Sequence, residues 1–217
     1  MSDFAAVLWD LDGTIVDTEP LWIAAETELA ERHHKIWTIE DALQLVGSDL
    51  LDSGEWIRER LGLTMSAVEI VDFLVDRVVV GLSAHVPWRP GAVELVRDLA
   101  EVGVPQALVT MSYTAIAQPI ADRLPFAAVV TGDVVPRGKP HPDPYLMAAE
   151  QLGVDPADCL AIEDSPTGAA SANAAGCHVL VVPHMVTVPP APRRTTVPTL
   201  EDLTAADFRT LRVNNSR

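Results

Sequence analysis

The sequence predicts an α/β fold: a doubly wound parallel sheet with a separate α-helical cap domain inserted into it. Three observations carry this. Five short apolar runs recur at 4–9, 106–110, 127–131, 159–163 and 178–182. Continuous apolar runs of this length suit strands buried on both faces of a parallel sheet. Helical patterns alternate with them at 91–102, 113–123, 143–152 and 167–175, which is the order expected of βαβ units. The rhythm breaks once, over residues 17–86, where apolar residues recur every three or four positions without a buried strand.

Taken in order, FAAVLW at 4–9 is the first strand and runs straight into DLDGT. The insert follows as LWIAAETELAERHH, TIEDALQLV, SGEWIRERLG and SAVEIVDFLVDRVVVGL, each amphipathic at helical spacing. A crossover between neighbouring strands needs far fewer residues. Residues 17–86 are therefore predicted as a helical cap, and 1–16 with 87–217 as the α/β core, with hinges near Asp17 and at HVPWRPG. After the helix at 91–102, QALVT is the second strand and ends at Thr110. The third, AAVVT, leads into a loop that reads RGKPHPD and holds Lys139. CLAIE at 159–163 ends in EDSPTG, where Ser165 suits a helix cap, Pro166 the first helical position and Gly176 the stop. HVLVV is the fifth strand. The Pro-rich 187–198 reads as an irregular surface loop, and TLEDLTAADFRTL at 199–211 as a closing helix.

Composition removes several classes of function. A formal charge of −16 over 217 residues disfavours nucleic acid, whose phosphates require Lys and Arg to replace counterions, and an anionic membrane surface. No apolar run approaches the ~18 residues of a membrane span. The start, MSDFAAVLWD, lacks a basic region before its apolar run and does not read as a secretory signal. Cys159 and Cys177 form neither a disulfide framework nor a zinc pattern and are expected as buried thiols in a cytoplasmic protein. Only two lysines occur, Lys35 and Lys139, so Lys139 is an unusual choice.

Ligands of open α/β sheets bind beyond the carboxyl ends of the strands. Four polar clusters fall at such ends or in the loops that follow: DLDGT, TMS, RGKPHPD and EDSPTG. Asp10-Leu11-Asp12-Gly13-Thr14, Thr110, Lys139 and Glu163-Asp164 together resemble the four motifs of the haloacid dehalogenase-like superfamily. The insert resembles the cap of the subgroup that contains sugar-phosphate phosphatases and β-phosphoglucomutase.

That resemblance implies a phosphatase acting on a small phosphorylated metabolite. Asp10 is the expected nucleophile, dividing one hard step into two through an aspartyl-phosphate. Asp12 is the expected general acid and base, a role typically worth ~10²–10⁴-fold. Gly13, Thr110, Met111 and Lys139 are expected around the phosphate: Gly13 through its backbone N–H, Thr110 through its hydroxyl and Lys139 through its charge. Asp10, Asp12, Glu163 and Asp164 cannot gather about a phosphate without a cation, and an all-oxygen shell suits Mg²⁺. The resemblance implies Asp10, Asp164 and the Asp12 carbonyl as ligands, with Glu163 direct or through water. Asp17 reads as a hinge or substrate contact, Trp22 as facing the site, and His33, His34 and His141 as terminus and loop residues. Dehalogenases of the superfamily lack a carboxylate at Asp12. The mutases carry a histidine at the place of Trp22, so phosphatase is preferred over mutase and over a non-catalytic binding relative. Nothing in the sequence marks an oligomeric interface.

Overall fold

The structure, a computed structural model, describes residues 4–208. Six parallel strands form the sheet: β1 (Ala6–Trp9), β2 (Gln106–Val109), β3 (Ala128–Val130), β4 (Cys159–Glu163), β5 (His178–Val181) and β6 (Arg194–Thr196). They lie in the order β3-β2-β1-β4-β5-β6. β1 pairs with β2 on one side and β4 on the other, Val7 standing opposite both Gln106 and Leu160. The winding therefore reverses at β1, and the carboxyl ends of β1, β2 and β4 border the crevice used for ligands in such sheets.

The insert after β1 holds four helices, α1 (Glu19–Arg32), α2 (Ile39–Leu43), α3 (Leu50–Leu61) and α4 (Ala67–Ala84). The remaining helices, α5 (Ala92–Glu101), α6 (Thr114–Ala121), α7 (Asp143–Leu152) and α8 (Pro166–Ala174), cover the sheet. Local chemistry explains several boundaries. Ser66 and Glu69 form a reciprocal capping box at the start of α4, and such an N-cap is typically worth ~1 kcal/mol. Gly62 ends α3 in the left-handed region, as Gly153 does α7. Ser165 caps α8 by accepting the Gly168 N–H, with Pro166 in the first turn.

The central strand β1 buries both faces by strict alternation. Ala6 and Leu8 join an apolar layer with Tyr145, Ala148, Ala169 and Ala172 of α7 and α8. Val7 and Trp9 join the opposite layer with Leu95, Leu99, Ile116 and Ile120 of α5 and α6. Helix α4 serves two cores. Its Ile70 and Leu74 pack with Leu29 and Ile57 inside the insert. Its Val71, Val75, Val78 and Leu82 extend the layer on the sheet. Entry to and exit from the insert run side by side: the Asp17 N–H donates to the Pro87 carbonyl and the Arg89 N–H to the Ile15 carbonyl, each at 2.8 Å.

Two sequence expectations need correction. The stretch expected as an irregular loop contains β6, which pairs through Arg194, Thr195 and Thr196 with β5 alone. The preceding prolines conceal a three-residue edge strand of one arginine and two threonines. The expected closing helix is replaced over 201–207 by turns at 201–202 and 205–207, with helix assigned at Phe208. There the Ala205 N–H donates to Asp98 Oδ2 and ties the segment to α5; its last residues, 209–211, lie outside those described. Cys159 and Cys177 are free and buried. No helix among the described residues is long and apolar enough to cross a membrane.

Candidate active site

Lys139 is the centre of the site. It is buried in the loop between β3 and α7, and its ammonium donates to three acceptors: Asp10 Oδ1 at 2.7 Å, Glu163 Oε1 at 2.7 Å and the Val109 carbonyl at 3.0 Å. Those groups come from the ends of β1, β4 and β2, so one side chain ties three strand ends together. Burial opposes the charge on Lys139, but the Asp10 and Glu163 carboxylates outweigh it and hold the ammonium protonated above its ordinary range. Glu163 is fully enclosed, its second oxygen accepting from Ser165 at 3.3 Å. A Cβ on Gly168 would stand within 2.1 Å of that carboxylate, so α8 approaches Glu163 as closely as only glycine permits.

Asp12 accepts four hydrogen bonds. Thr18 Oγ1 at 2.6 Å and Trp22 Nε1 at 3.3 Å donate to Oδ1, and Thr110 Oγ1 at 3.0 Å and Ser112 Oγ at 2.8 Å to Oδ2. The first pair comes from the insert side and the second from the end of β2, so Asp12 links the two parts of the molecule. Thr110, expected on the phosphate, is fully buried and commits its hydroxyl to Asp12. It positions that carboxylate. Met111 lines the cavity above the site, and its sulfur accepts the Lys139 N–H.

Asp10, Glu163 and Asp164 each offer a carboxylate oxygen within 4.8 Å of the others. Asp10 Oδ2 and Asp164 Oδ2 are buried without a hydrogen-bond partner, although buried polar atoms are normally satisfied. Burial, opposed by Lys139 and reinforced by Glu163 and Asp12, pushes Asp10 up to about 8. Burial, with Asp10 and Glu163 beside it, lifts Asp164 well above the ordinary carboxylate range. Two orphaned oxygens amid excess negative charge fit a hard divalent cation, which prefers oxygen ligands.

Gly13 differs from expectation. Its N–H already donates to the Val16 carbonyl at 2.8 Å and is not free for a phosphate. Glycine is required for another reason: φ is +79° and a Cβ would lie 2.1 Å from Asp164 Oδ2. Gly13→Ala should therefore displace Asp164 and lower kcat/KM by about 10²-fold, the scale of a 1 Å misplacement, with a reduced melting temperature. Wild-type kinetics in that variant would mean that Asp164 tolerates displacement.

The remaining sequence candidates lie nearby or outside. Asp17 Oδ1 meets His184 Nε2 at 2.9 Å, and Arg89 reaches His184 Nδ1 at 2.9 Å. His141 accepts the Asp143 N–H in its loop. His33 and His34 are exposed at the end of α1. Sequence reasoning missed Thr18, Ser112, Tyr145, Glu19 and Glu26. Tyr145 donates to Glu163 Oε1, and Glu19 and Glu26 line the cavity. Their spacing from Trp22 on one helix face was the available signal.

A family model for haloacid dehalogenase-like hydrolases matches residues 4–176. The chain belongs to that family. Hexitol phosphatase A of Escherichia coli (strain K12) is 34% identical over 180 residues, covering 81% of each chain. Protein CbbY of Rhodobacter capsulatus is 33% identical over 200 residues, covering 83% of this chain and 86% of its own. Among solved structures, CbbY from Rhodobacter sphaeroides in complex with xylulose-(1,5)bisphosphate superposes with a TM-score of 0.81 at 24% identity, covering 92% and 96% of the chains. β-Phosphoglucomutase from Clostridium difficile gives 0.83 at 21%, covering 97% and 98%. These structural matches show that the chain shares their fold.

Proposed function

We propose that the protein is a Mg²⁺-dependent phosphomonoesterase that hydrolyses a small phosphorylated metabolite through an aspartyl-phosphate on Asp10. The observation that carries this is the arrangement at the strand ends: Lys139 holds Asp10 Oδ1 and Glu163, two further carboxylate oxygens have no partner, and Asp12 stands at the same strand end. Asp10, Asp164 and the Asp12 carbonyl would hold the cation, with Glu163 direct or through water. Mg²⁺ when bound supplies the positive charge that offsets the clustered carboxylates and the phosphoryl oxygens.

The chain's own residues do the rest. Lys139 orients Asp10 for attack on phosphorus and adds fixed charge beside the reacting oxygens. Asp12 gives a proton to the leaving oxygen, then takes one from the water that attacks phosphorus in the Asp10 acyl phosphate and releases the Asp10 carboxylate. Four donors aim the Asp12 carboxylate, and the hydroxyls of Thr18, Thr110 and Ser112 can rotate to accept once it is protonated. Residues 17–86 act as a cap, with hinges near Asp17 and at 85–91, and exclude bulk water when closed. Hexitol phosphatases among the relatives support phosphate ester hydrolysis. Trp22 supports phosphatase over mutase, since its indole occupies Asp12 Oδ1.

The test is phosphate release from p-nitrophenyl phosphate. Activity should require Mg²⁺, vanish with EDTA and return when Mg²⁺ is restored in excess. Full activity in EDTA would sink the metal-dependent reading.

A further inference from the structure

The cavity between the insert and the strand ends differs chemically from its floor. It measures about 70 Å³ and rises from Asp10, Asp12 and Asp164. Glu19, Trp22, Ile23 and Glu26 of α1 line it together, as residues spaced three, four and seven apart share one helix face. Both glutamates are more than nine-tenths buried. Burying a carboxylate is costly unless its oxygens find partners. Trp37 Nε1 donates to Glu26 Oε2 at 3.0 Å. Among the described residues, Glu26 Oε1 and the Glu19 carboxylate have no hydrogen-bond partner.

We infer that this cavity selects a monophosphate ester whose leaving group is an uncharged polyol, and that Glu26 is the specificity-determining residue that accepts hydrogen bonds from its hydroxyls. The inference rests on the phosphatase reading above. Its second support is the lack of a free cation. No arginine or histidine among the described residues lines the cavity, and its lysine, Lys139, has its three ammonium hydrogens committed. A second phosphate or a carboxylate on the leaving group would be enclosed with no arginine, histidine or free ammonium to offset its charge. A polyol meets Glu19 and Glu26 as acceptors, the Ser48 and Ser53 hydroxyls, and the apolar sides of Trp22 and Leu45. An ammonium group is the weaker fit, because burial pushes Glu26 up to about 8 and favours its uncharged form. A neutral acid both donates to and accepts from hydroxyls.

The decisive experiment measures Mg²⁺-dependent phosphate release from five compounds: p-nitrophenyl phosphate, a hexitol 6-phosphate, phosphoglycolate, xylulose 1,5-bisphosphate and phosphoethanolamine. The hexitol ester should exceed the last three in kcat/KM by at least about 10-fold, the scale of one lost hydrogen bond. Glu26→Leu should lower the hexitol rate relative to p-nitrophenyl phosphate by about 10-fold, and Glu26→Gln, which keeps an acceptor, should restore most of that ratio. Thermal melts report whether each variant folds; if the Leu variant does not, the wild-type panel and the Gln variant decide. Preference for the bisphosphate, the carboxylate or the amine overturns the inference. So does an unchanged ratio in a folded Glu26→Leu. Release from p-nitrophenyl phosphate in those cases leaves the phosphatase reading standing, whereas no release from any compound removes both.

Discussion

Asp10→Asn is expected to lower phosphate release by at least ~10⁴-fold, the order seen when a nucleophile is removed, while the protein still folds. The amide cannot form the acyl phosphate, but it keeps the shape of the side chain and an oxygen for Lys139. Stability should hold because burial is the largest influence on Asp10 and pushes its carboxyl up to about 8. Asp10 is thus a costly charge to enclose, and a neutral isostere removes that cost. Initial rates with p-nitrophenyl phosphate and a circular dichroism melt check both halves. A variant that kept even a tenth of the wild-type rate would place the nucleophile elsewhere.

The largest effect on stability should come from Lys139→Met. Its ammonium is the internal partner of Asp10 and Glu163, both at 2.7 Å and both buried. Removing one member of a buried charged pair typically costs about 3–5 kcal/mol, because the other member stays enclosed without a partner. For a chain of this size that corresponds to a fall of roughly 6–20 °C in melting temperature. Adding Glu163→Gln should recover part of the loss, since it removes the charge left alone, and the non-additivity of this cycle measures the coupling. Equal melting of the single variant and wild type would show that the carboxylates do not depend on Lys139. Activity should be lost in both variants.

The two layers of the fold were legible for a simple reason. Strands such as Cys159–Glu163 are buried on both faces, so they write themselves as unbroken apolar runs with sharp polar ends. β6 was not legible, because an edge strand of three residues beside prolines needs no apolar run. The site residues brought together at the strand ends were visible through their position after those runs, and Lys139 through the rarity of lysine. Partnerships across long separations left no local mark. His184 meets Asp17 from 167 positions away, and nothing near either residue announces the other. Gly13 illustrates a subtler limit: its glycine was readable, but its N–H belongs to Val16 and its missing side chain makes room for Asp164, both products of the packed turn. Glu26 escaped notice because one carboxylate on an amphipathic helix looks like a solvated position until the neighbouring helices close over it.

The short antiparallel contact at the base of the insert has a consequence for how such a protein can change over generations. Val16 pairs with Trp88, and the backbone bonds on either side hold departure and return at neighbouring points. Apart from the α4 side chains packed on its layer, the sheet meets the insert at two adjacent chain ends. Changes in the insert away from Thr18, Trp22 and the sheet-facing side of α4 leave intact the register of β1 against β2 and the place of Asp10 beside Lys139. Loop-closure entropy also rises only slowly with the length of the excursion. Cavity-lining positions of the insert such as Ile23 and Glu26 can consequently vary over generations while Asp10 and Lys139 stay in place.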